Sequence, residues 1–355
     1  MRIVLLGLSI TSSWGNGHAT NYRALVRALT FRGHDVLFLE RDVPWYAAQR
    51  DMPRPPWGTT RLYGSLDELR REHAVAVRDA DLVVVGSYVP EGVAVGEWAV
   101  ATTHGLAAFY DIDTPVTLAK LARGDYEYIT PQLVRDYRLY LSFTGGPTLQ
   151  HLEDELGSPC ARAFHCLVDP DAYPVLERTA RWDLGYLGTY SGDRQPALER
   201  LLLDPARQDP HLRCVVAGPQ YPATIDWPAN VERIEHLPPA RHAAFYAAQR
   251  FTLNITRADM LDAGWSPSVR LFEAAACAVP VISDAWAGLE TFFAPGTEIL
   301  VAGDGDGVRR ALAGTRESQR RAIGRRARRR VLAEHTALHR AIELEAHVLE
   351  AIAHA

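Results

Sequence analysis

A short helix followed directly by a buried strand is predicted for the segment Ser266-Pro-Ser-Val-Arg-Leu-Phe-Glu-Ala-Ala-Ala-Cys-Ala-Val-Pro-Val-Ile-Ser-Asp284. Either Ser266 or Ser268 can cap the helix, and Pro267 suits its first turn because the missing N–H would have no partner there. Helices of this kind present unpaired N–H groups and a partial positive charge at their N-terminus. The segment therefore predicts a phosphate seat at Ser266–Val269 in a protein of the α/β class.

Glu273 lies about two turns beyond Ser266, so the two side chains share one face of this helix. A carboxylate there can accept hydrogen bonds from ribose hydroxyls, and a phosphate seat beside a ribose acceptor suits a sugar nucleotide. The alternative is an ordinary capped helix with Glu273 in solvent, because motif matches carry false positives. A second, independent pattern is needed to decide between the two interpretations.

The N-terminus supplies that pattern in the form of a βαβ unit. A first apolar run ends in a loop with Gly15 and Gly17, a helical pattern runs from Ala19 to Phe31, and a second apolar run ends at Glu40. The glycine loop therefore lies at the carboxyl end of the first strand, where open α/β sheets bind ligands. Glu40 stands where the ribose-binding acid of an NAD site would, although the third glycine of that fingerprint is missing.

Length, charge and cysteine content exclude several classes of protein. At 355 residues the chain can form two α/β domains, and its formal net charge of −5 gives no reason to expect a nucleic acid partner. No signal peptide or membrane-spanning helix is evident. The cysteines lie in apolar or mixed segments without C-x-x-C spacing, which predicts reduced, buried thiols and a cytoplasmic protein: Cys160, Cys166, Cys214 and Cys277.

Strands and helices alternate along the chain, with one break from Asp169 to Arg181. Two successive α/β sets predict two Rossmann-like domains facing each other across a cleft. We expect an N-terminal domain at residues 1–168, a linker at 169–182, a second domain at 183–317, and a helical segment at 318–355 that packs back towards the first domain. The main predicted strands are Leu82–Gly86, Leu106–Tyr110, Leu139–Phe143 and Ala163–Val168 before the break, and Leu184–Gly188, Leu212–Ala217, Val231–Ile234, Phe251–Ile255 and Ile299–Val301 after it.

Several motifs, spread from the N-terminus to about residue 301, carry a resemblance to a known family. They are Ser13-Trp-Gly-Asn-Gly-His-Ala-Thr20, Phe109-Tyr-Asp-Ile-Asp-Thr-Pro115, Gly185-Tyr-Leu-Gly-Thr-Tyr-Ser191, Ala217-Gly-Pro219, and Ser266–Asp284 with Trp286–Glu290 after it. With these motifs in this order, the sequence resembles a GT-B glycosyltransferase of the group 1 type, and within that group the spore-maturation (CgeB-like) branch. The resemblance implies that the first domain binds the acceptor and the second binds the nucleotide sugar.

The resemblance also implies roles for single residues of the second domain. Glu273 matches the second glutamate of the family's paired-glutamate motif, which holds the donor ribose. The first glutamate would fall at Trp265, where this chain has no acid, so its recognition of the donor sugar must differ. The other matches are the phosphate-binding turn, the basic group at the diphosphate, and the strand ends that pack on the base: Ser266, Pro267, Ser268 and Val269; Arg194; and Gly218, Pro219, His236 and Leu237.

Two further segments belong to the predicted donor site. Gly15, Asn16 and Gly17 match the glycine loop that, in the family, closes over the donor from the first domain. Arg257 follows a predicted strand, so it either lines the cleft near the phosphate or belongs to a salt-bridged loop.

Group transfer requires that a leaving diphosphate be neutralised and that an acceptor hydroxyl be oriented or deprotonated. A helix N-terminus and an arginine supply the positive charge, so neither a metal nor another cofactor is expected. We expect His18 as a base or hydrogen-bond donor, and Asp111 or Asp113 as an acceptor-site carboxylate. The alternatives are a helix-capping His18 and aspartates that stabilise a turn, while a metal-binding D-x-D is discounted because that tripeptide is common.

The sequence thus predicts a metal-independent glycosyltransferase that moves a sugar from a nucleoside diphosphate, UDP by default, to a hydroxyl of a glycan, a lipid or a small natural product. The family resemblance implies retention of the anomeric configuration. The alternatives are a sugar-nucleotide epimerase, a non-catalytic sugar-nucleotide-binding protein and an NAD-dependent dehydrogenase. The arginine run at 320–330 is predicted to be a solvated helix face, in preference to a membrane contact. The oligomeric state is left open.

Overall fold

The computed structural model describes residues 1–353 and divides them into two compact units. Unit 1 contains Met1–Leu167 together with the residues from Ala337 onward, and unit 2 contains Val168–Thr336. Each unit has one fully parallel sheet with helices between its strands, so the predicted α/β class with two Rossmann-like domains is confirmed.

Unit 1 has a seven-stranded sheet in the order β3-β2-β1-β4-β5-β6-β7. Parallel strands buried on both faces need near-continuous apolar runs, which these strands have at β1, β4 and β5. The strands are β1 (Arg2–Gly7), β2 (Asp35–Arg41), β3 (Thr59–Tyr63), β4 (Leu82–Gly86), β5 (Leu106–Asp111), β6 (Leu139–Ser142) and β7 (Ala161–Ala163). The helices are α1 (His18–Phe31), α2 (Pro44–Ala47), α3 (Leu66–Arg78), α4 (Gly92–Thr102), α5 (Thr114–Ala122), α6 (Pro131–Asp136) and α7 (Pro147–Asp154), with the last helix of the chain, described below.

Unit 2 has a six-stranded sheet in the order β10-β9-β8-β11-β12-β13. Its strands are β8 (Trp182–Leu187), β9 (Cys214–Ala217), β10 (Val231–Ile234), β11 (Gln249–Asn254), β12 (Val281–Ser283) and β13 (Leu300–Val301). Its helices are α8 (Gln195–Leu198), a π-helical turn (Glu199–Leu203), α9 (Asp204–Gln208), a 3₁₀ turn (Pro239–Arg241), α10 (His242–Ala247), α11 (Ala258–Ala263), α12 (Val269–Ala276), α13 (Leu289–Phe292), α14 (Gly305–Gly314) and α15 (Glu317–Glu334).

Both sheets reverse their strand order beside their first strand. In unit 1 the chain continues outward from β1 on one side and restarts at β4 on the other, and in unit 2 the same reversal separates β8 from β11. Such a reversal opens a crevice at the carboxyl ends of the two strands, because the connections leave in opposite directions. Each unit therefore has one position where a ligand site is expected.

Two strand predictions need correction. The strand predicted at Ala163–Val168 lies earlier, at β7, because the edge strand pairs with β6 over three residues only. Strand β3 was missed because its side chains are mostly exposed at the edge of the sheet and carry no apolar run. Both errors concern edge strands, where partial exposure leaves the weakest apolar pattern in the sequence.

The C-terminal helices separate at His335 and Thr336, and α16 (Ala337–Ala353) packs on α1 in unit 1. The sequence predicted that the arginines of α15 form a solvated face, but several of them contact other residues of unit 2. Arg320 and Arg321 pair with Glu317, whereas others bind backbone carbonyls or Glu298: Arg326, Arg328 and Arg330. Across residues 1–353, the helices are too short or too polar to traverse a lipid bilayer.

Candidate functional site

The phosphate seat predicted at Ser266–Val269 precedes helix α12. Ser268 is the N-cap, and its hydroxyl accepts a hydrogen bond from the Arg270 N–H at 3.4 Å. The structure corrects the placement of Pro267, which lies before the cap instead of in the first turn, because Ser268 still has extended backbone angles. Ser266 is fully buried. The first turn of α12 begins at Val269, at the end of the seat, and it has the unpaired N–H groups of a helix N-terminus.

Arg270 connects this helix to the strand reversal of unit 2. Its side chain is buried, with Nε donating to the Leu187 carbonyl and Nη1 donating to Asn254 Oδ1 at 3.0 Å. Leu187 ends β8 and Asn254 ends β11, so the guanidinium bridges the two strands between which the crevice opens. Sequence analysis did not single out Arg270. The feature that could have indicated its role is a charged residue within an otherwise apolar helix face.

Arg194, predicted to contact a diphosphate, follows β8 at the same edge of the sheet. Its Nη2 donates to the Thr189 carbonyl at 2.8 Å, while its Nε is buried without a hydrogen-bond partner among the described residues. The buried hydroxyl of Tyr186 also has no partner there, and the Arg270 guanidinium lies 4.7 Å from the centre of the Tyr186 ring. Buried donors without partners are rare in folded proteins, so two of them beside one crevice indicate a place for an acceptor.

A third arginine completes what we call the arginine cluster: Arg194, Arg233 and Arg270. The Arg233 guanidinium lies 4.2 Å from the Tyr221 ring centre and 4.5 Å from that of Trp227. Burial, with Tyr186 nearby, raises the pKa of Tyr221, and the charges of all three arginines oppose that rise. The three positive charges therefore surround one tyrosine at the carboxyl edge of the sheet.

Of the residues predicted to pack on a base, Gly218 and Pro219 follow β9 beside Arg233, whose Nη2 donates to the Gly218 carbonyl at 3.0 Å. Gly218 has φ +144°, and a Cβ there would lie 2.0 Å from the Gly188 carbonyl oxygen, so only glycine fits. His236 is exposed after β10, whereas Leu237 is buried. The structure thus groups Gly218 and Pro219 with the arginine cluster and directs Leu237 into the interior.

Glu273 lies inside the unit and not in solvent, which rules out the alternative of an exposed carboxylate. Its oxygens accept hydrogen bonds from Tyr173 at 2.6 Å and Tyr246 at 2.9 Å, and His242 Nδ1 is 3.7 Å away. Burial alone would raise the pKa of Glu273, but His242 and the two phenols lower it below its usual value. The group is therefore a charged carboxylate, and each oxygen has a further lone pair for a ligand hydroxyl.

Two further contacts fix the loops around this edge. Arg257 forms an ion pair with Asp193 at 3.5 Å, as the salt-bridged alternative for this residue described, and so joins the loops that follow β8 and β11. Buried Asp284 accepts hydrogen bonds from the N–H and hydroxyl of Thr256 at 2.8 and 2.7 Å. These contacts hold the strand ends in place without occupying Arg194 Nε or Tyr186 Oη.

In unit 1, two carboxylates hold the loop that follows β1. Glu40 accepts hydrogen bonds from the N–H groups of Ile10 and Thr11 at 2.7 and 2.9 Å, and from nearby hydroxyls. Asp51 binds Arg23 and Ser13, which lower its pKa to about 2 although burial opposes them. Glu40 thus anchors the loop and is not available as a ribose ligand, which removes the feature that favoured an NAD site.

The glycine loop ends at helix α1. Gly15 has φ +66°, and Gly17 precedes the helix with open space where a side chain would be. Gly17 is the N-cap, and Asn16 Oδ1 just before it accepts the Ala19 N–H at 3.1 Å. His18 is therefore not the capping group, contrary to that alternative. Its imidazole is buried against the edge of the Tyr88 ring at 5.6 Å, and Nδ1 has no partner among the described residues.

The two predicted aspartates have different surroundings. Asp111 is completely buried and accepts hydrogen bonds from Tyr140 at 2.6 Å and Thr117 at 2.7 Å, so it cannot contact an acceptor directly. Burial raises its pKa to about 6 despite these hydrogen bonds. Asp113 is half-buried, and its charge counteracts the lowering of the His18 pKa that burial causes. The structure therefore groups Asp113, and not Asp111, with His18 at the reversal of unit 1.

Comparison with known proteins gives a partial family match and a set of structures with a similar fold. Residues 194–346 match a family model described as glycosyl transferase-like. Among solved structures, a sucrose-phosphate synthase from Thermosynechococcus elongatus aligns over 99% of both chains at 15% identity, with a TM-score of 0.73. The chain has the GT-B fold. No curated protein sequence matches significantly.

Other GT-B structures align over nearly the whole chain as well. Anabaena Alr3699/HepE, solved with UDP and glucose, aligns over 98% of both chains at 13% identity, with a TM-score of 0.70. AviGT4, a glycosyltransferase of avilamycin A biosynthesis, aligns over 99% of this chain and 98% of its own at 18% identity, with a TM-score of 0.66. These findings support a glycosyltransferase, whereas assignment to the spore-maturation branch stays a prediction.

Within this GT-B chain, the predicted donor residues Arg194, Gly218 and Ser268 lie around the reversal of unit 2, with Glu273 deeper on α12. The predictions omitted the residues that hold these groups, because tyrosines and arginines in isolated positions have no recognisable spacing: Tyr173, Tyr186, Tyr221, Arg233, Tyr246 and Arg270. Only the fold brings them together.

Proposed function

We propose that the protein is a glycosyltransferase that moves a hexose from a UDP-sugar to the hydroxyl group of an acceptor. One observation carries the proposal: the arginine cluster at the strand reversal of unit 2, where Arg194 Nε and Tyr186 Oη are buried and have no hydrogen-bond partner within residues 1–353. A diphosphate supplies both the negative charge and the acceptor oxygens that these groups lack.

The donor diphosphate is proposed to bind between Arg194, Arg270 and the N-terminus of α12 at Ser268. Two guanidinium groups and the helix N–H groups stabilise the charge that develops when the sugar–phosphate bond breaks. The proposed reaction is metal-independent, because these protein groups can neutralise the leaving diphosphate. The acceptor oxygen forms a new bond to the anomeric carbon, the bond from that carbon to the β-phosphate oxygen breaks, and the nucleotide leaves with the electron pair.

The ribose is proposed to bind Glu273. Tyr173 and Tyr246 hold the carboxylate in one orientation while its remaining lone pairs accept ribose hydroxyls. The base is proposed to lie beside Gly218 and Arg233, where the Tyr221 and Trp227 rings pack against the Arg233 guanidinium. UDP is proposed as the nucleotide because fold neighbours such as Alr3699/HepE were solved with UDP-glucose, at 12% identity.

The acceptor side is proposed for unit 1, with His18 taking the hydroxyl proton and Asp113 orienting or stabilising the imidazole. Burial lowers the pKa of His18, so the imidazole is neutral near neutral pH and can accept a proton. Retention of the anomeric configuration, membership of the spore-maturation branch and a cytoplasmic location are proposed from the sequence alone. Proton NMR of the product's anomeric coupling tests retention.

Calorimetric titration with UDP, with and without EDTA, tests the donor site. We expect UDP to bind with the same affinity in both solutions, and a UDP-sugar incubated with candidate acceptors to give a glycosylated product. A new sugar nucleotide formed without any acceptor would identify an epimerase, and binding without turnover would identify a non-catalytic protein. Absence of UDP binding would contradict the proposed donor.

A further inference from the structure

Tyr88, the second residue after β4, has a backbone conformation that tyrosine rarely adopts. Its φ is +63°, in the left-handed region that residues other than glycine seldom enter. Such a conformation persists only where the surrounding structure imposes it, and it is found mainly at functional sites. Strand β4 borders the strand reversal of unit 1, so this strained residue lies at the edge of the crevice where a ligand site is expected.

The neighbours of Tyr88 in the chain hold this conformation. Ser87 is completely buried; its N–H donates to the Tyr110 carbonyl at 2.9 Å, and its hydroxyl accepts the Ile112 N–H at 3.1 Å. Val89, on the other side, is buried in the core of the unit. The loop after β4 is therefore fixed both to the end of β5 and to the core.

The Tyr88 ring contacts a buried tyrosine and the imidazole of His18. Its centre is 4.7 Å from that of Tyr128 and 5.6 Å from that of His18, and the His18 contact is edge-to-face. Tyr128 is buried, and its hydroxyl bonds to that of Thr117 at 2.7 Å, which in turn donates to Asp111 at 2.7 Å. Because Tyr128 is held in place, the Tyr88 ring forms a rigid wall beside the imidazole.

The imidazole of His18 lacks the hydrogen bond that usually orients a histidine base. In most such bases the second ring nitrogen donates to a carboxylate or a carbonyl, which sets the orientation of the ring. In His18 the buried Nδ1 has no partner among residues 1–353, and Asp113 acts on the ring through its charge. This leaves the aromatic contact with Tyr88 to limit the rotation of the imidazole.

We propose that Tyr88 is a positioning residue for the transfer reaction, whose ring holds the His18 imidazole in the orientation that accepts the proton of the acceptor hydroxyl. This inference rests on the proposed function of His18. The aromatic ring does the positioning, and the Tyr88 hydroxyl has no part in it. The strained backbone conformation is retained because it directs the ring towards His18.

Two kinds of substitution separate the ring from the backbone strain. Tyr88→Phe keeps the ring, whereas Tyr88→Gly removes it and relieves the strain, because glycine adopts φ +63° freely. Tyr88→Asn, which also tolerates a left-handed φ, takes its place if the glycine variant does not fold. Glu91→Gly is the matched control, since Glu91 has a left-handed φ of +57° in the same loop and its exposed side chain pairs with Arg41 at 3.1 Å.

The test measures two quantities in each protein: the rate of UDP release from UDP-glucose, UDP-galactose and UDP-N-acetylglucosamine, with water or a candidate acceptor, and the His18 pKa by NMR of histidine-labelled protein. In Tyr88→Gly we expect kcat to fall by about 10- to 100-fold, a part of the roughly 10²–10⁴-fold that a general base contributes. The His18 pKa, which burial lowers, should rise towards its ordinary value of 6.5 as solvent reaches the ring. Tyr88→Phe and Glu91→Gly should match the wild type in both measurements, and UDP affinity should stay unchanged in all variants.

The outcomes separate this inference from the proposed function. Wild-type kcat in Tyr88→Gly would overturn the positioning role, and an equal loss in Tyr88→Phe would do so by assigning the effect to the hydroxyl. A fall in kcat with an unchanged His18 pKa would show that Tyr88 does not act through His18, which also overturns it. A wild type that releases no UDP from any of the three UDP-sugars would overturn the proposed function, and the inference with it.

Discussion

At the scale of single residues, the donor side depends on carboxylates and arginines whose partners lie far apart in the sequence. Glu273 was predicted from its spacing to Ser266, but its charge state depends on Tyr173, Tyr246 and His242. No pattern in the sequence connects those residues to Glu273, because Tyr173 lies before β8 whereas His242 and Tyr246 lie on α10. The position of Glu273 on the helix could be predicted, whereas the side chains that bind its carboxylate could not.

Replacement of Glu273 by alanine tests its contact with the ribose. We expect UDP affinity to fall by at least tenfold, because a hydrogen bond to a charged group is worth about 1.5–3 kcal/mol. The unfolding temperature also falls, since two buried tyrosine hydroxyls lose their acceptor. Asp306→Ala, an exposed carboxylate that pairs with Arg309 on α14, is the matched control: it leaves UDP affinity unchanged and alters stability by less than about 1 kcal/mol. UDP affinity equal to the wild type would exclude Glu273 from the site.

The raised pKa of Asp111 predicts a pH-dependent stability. Its pKa of about 6 in the folded protein lies above the ordinary value of 3.8, so its contribution to stability is present at acid pH and is lost as the pH rises through 6. In Asp111→Asn, the free energy of unfolding relative to the wild type should therefore increase between pH 4 and 7, on the order of 1–3 kcal/mol. Urea denaturation of both proteins across this range measures the difference. If the difference in the free energy of unfolding between the two proteins did not change with pH, the raised pKa of Asp111 would be contradicted.

At the scale of elements, the predicted helix and strand at Ser266–Asp284 are found, and Ser268, one of the two predicted caps, is the N-cap. Central strands such as β4 were predicted to the residue, since burial on both faces imposes a continuous apolar run. The edge strands β3 and β7 were missed or misplaced, because solvent on one side removes that run. The close approach between the ends of β8 and β9 was also invisible in the sequence, although Gly218 was predicted as part of the site.

That close approach can be tested at Gly218. A methyl group there would meet the Gly188 carbonyl and would also force an unfavourable φ, so Gly218→Ala should destabilise the protein by about 2–4 kcal/mol. Gly314→Ala is the control, because a Cβ at the end of α14 meets no atom within 4 Å. Urea denaturation measures both changes. Equal stability of the two variants would show that the loop after β9 can move away from the added methyl group without a loss of stability.

At the scale of the whole molecule, the long C-terminal helix belongs to the unit that contains the N-terminus. Leu344 of α16 is buried in unit 1, whereas Leu349 on the same helix is 69% exposed. The helical pattern of this segment was evident from its sequence. Its attachment to α1 also depends on Arg32 and Glu345, a pair more than 300 residues apart that no local pattern predicts.

Leu344→Ala should destabilise unit 1 by about 2–5 kcal/mol, the usual effect of removing a buried leucine side chain. UDP affinity, measured well below the unfolding temperature, should stay unchanged because the arginine cluster lies in unit 2. Leu349→Ala, the exposed control, should alter stability by less than about 0.5 kcal/mol. A loss of UDP binding in folded Leu344→Ala would show that the donor site depends on this helix.

The division of the chain at Leu167 and Thr336 also has a consequence for biosynthesis. A ribosome releases the strands of unit 1 before unit 2, and α16 after unit 2. Unit 2 can therefore complete its sheet during translation, whereas the nascent unit 1 waits with the apolar side of α1 uncovered. Unit 1 receives its closing helix only after unit 2 has been synthesised, so the domain that is begun before unit 2 is completed after it.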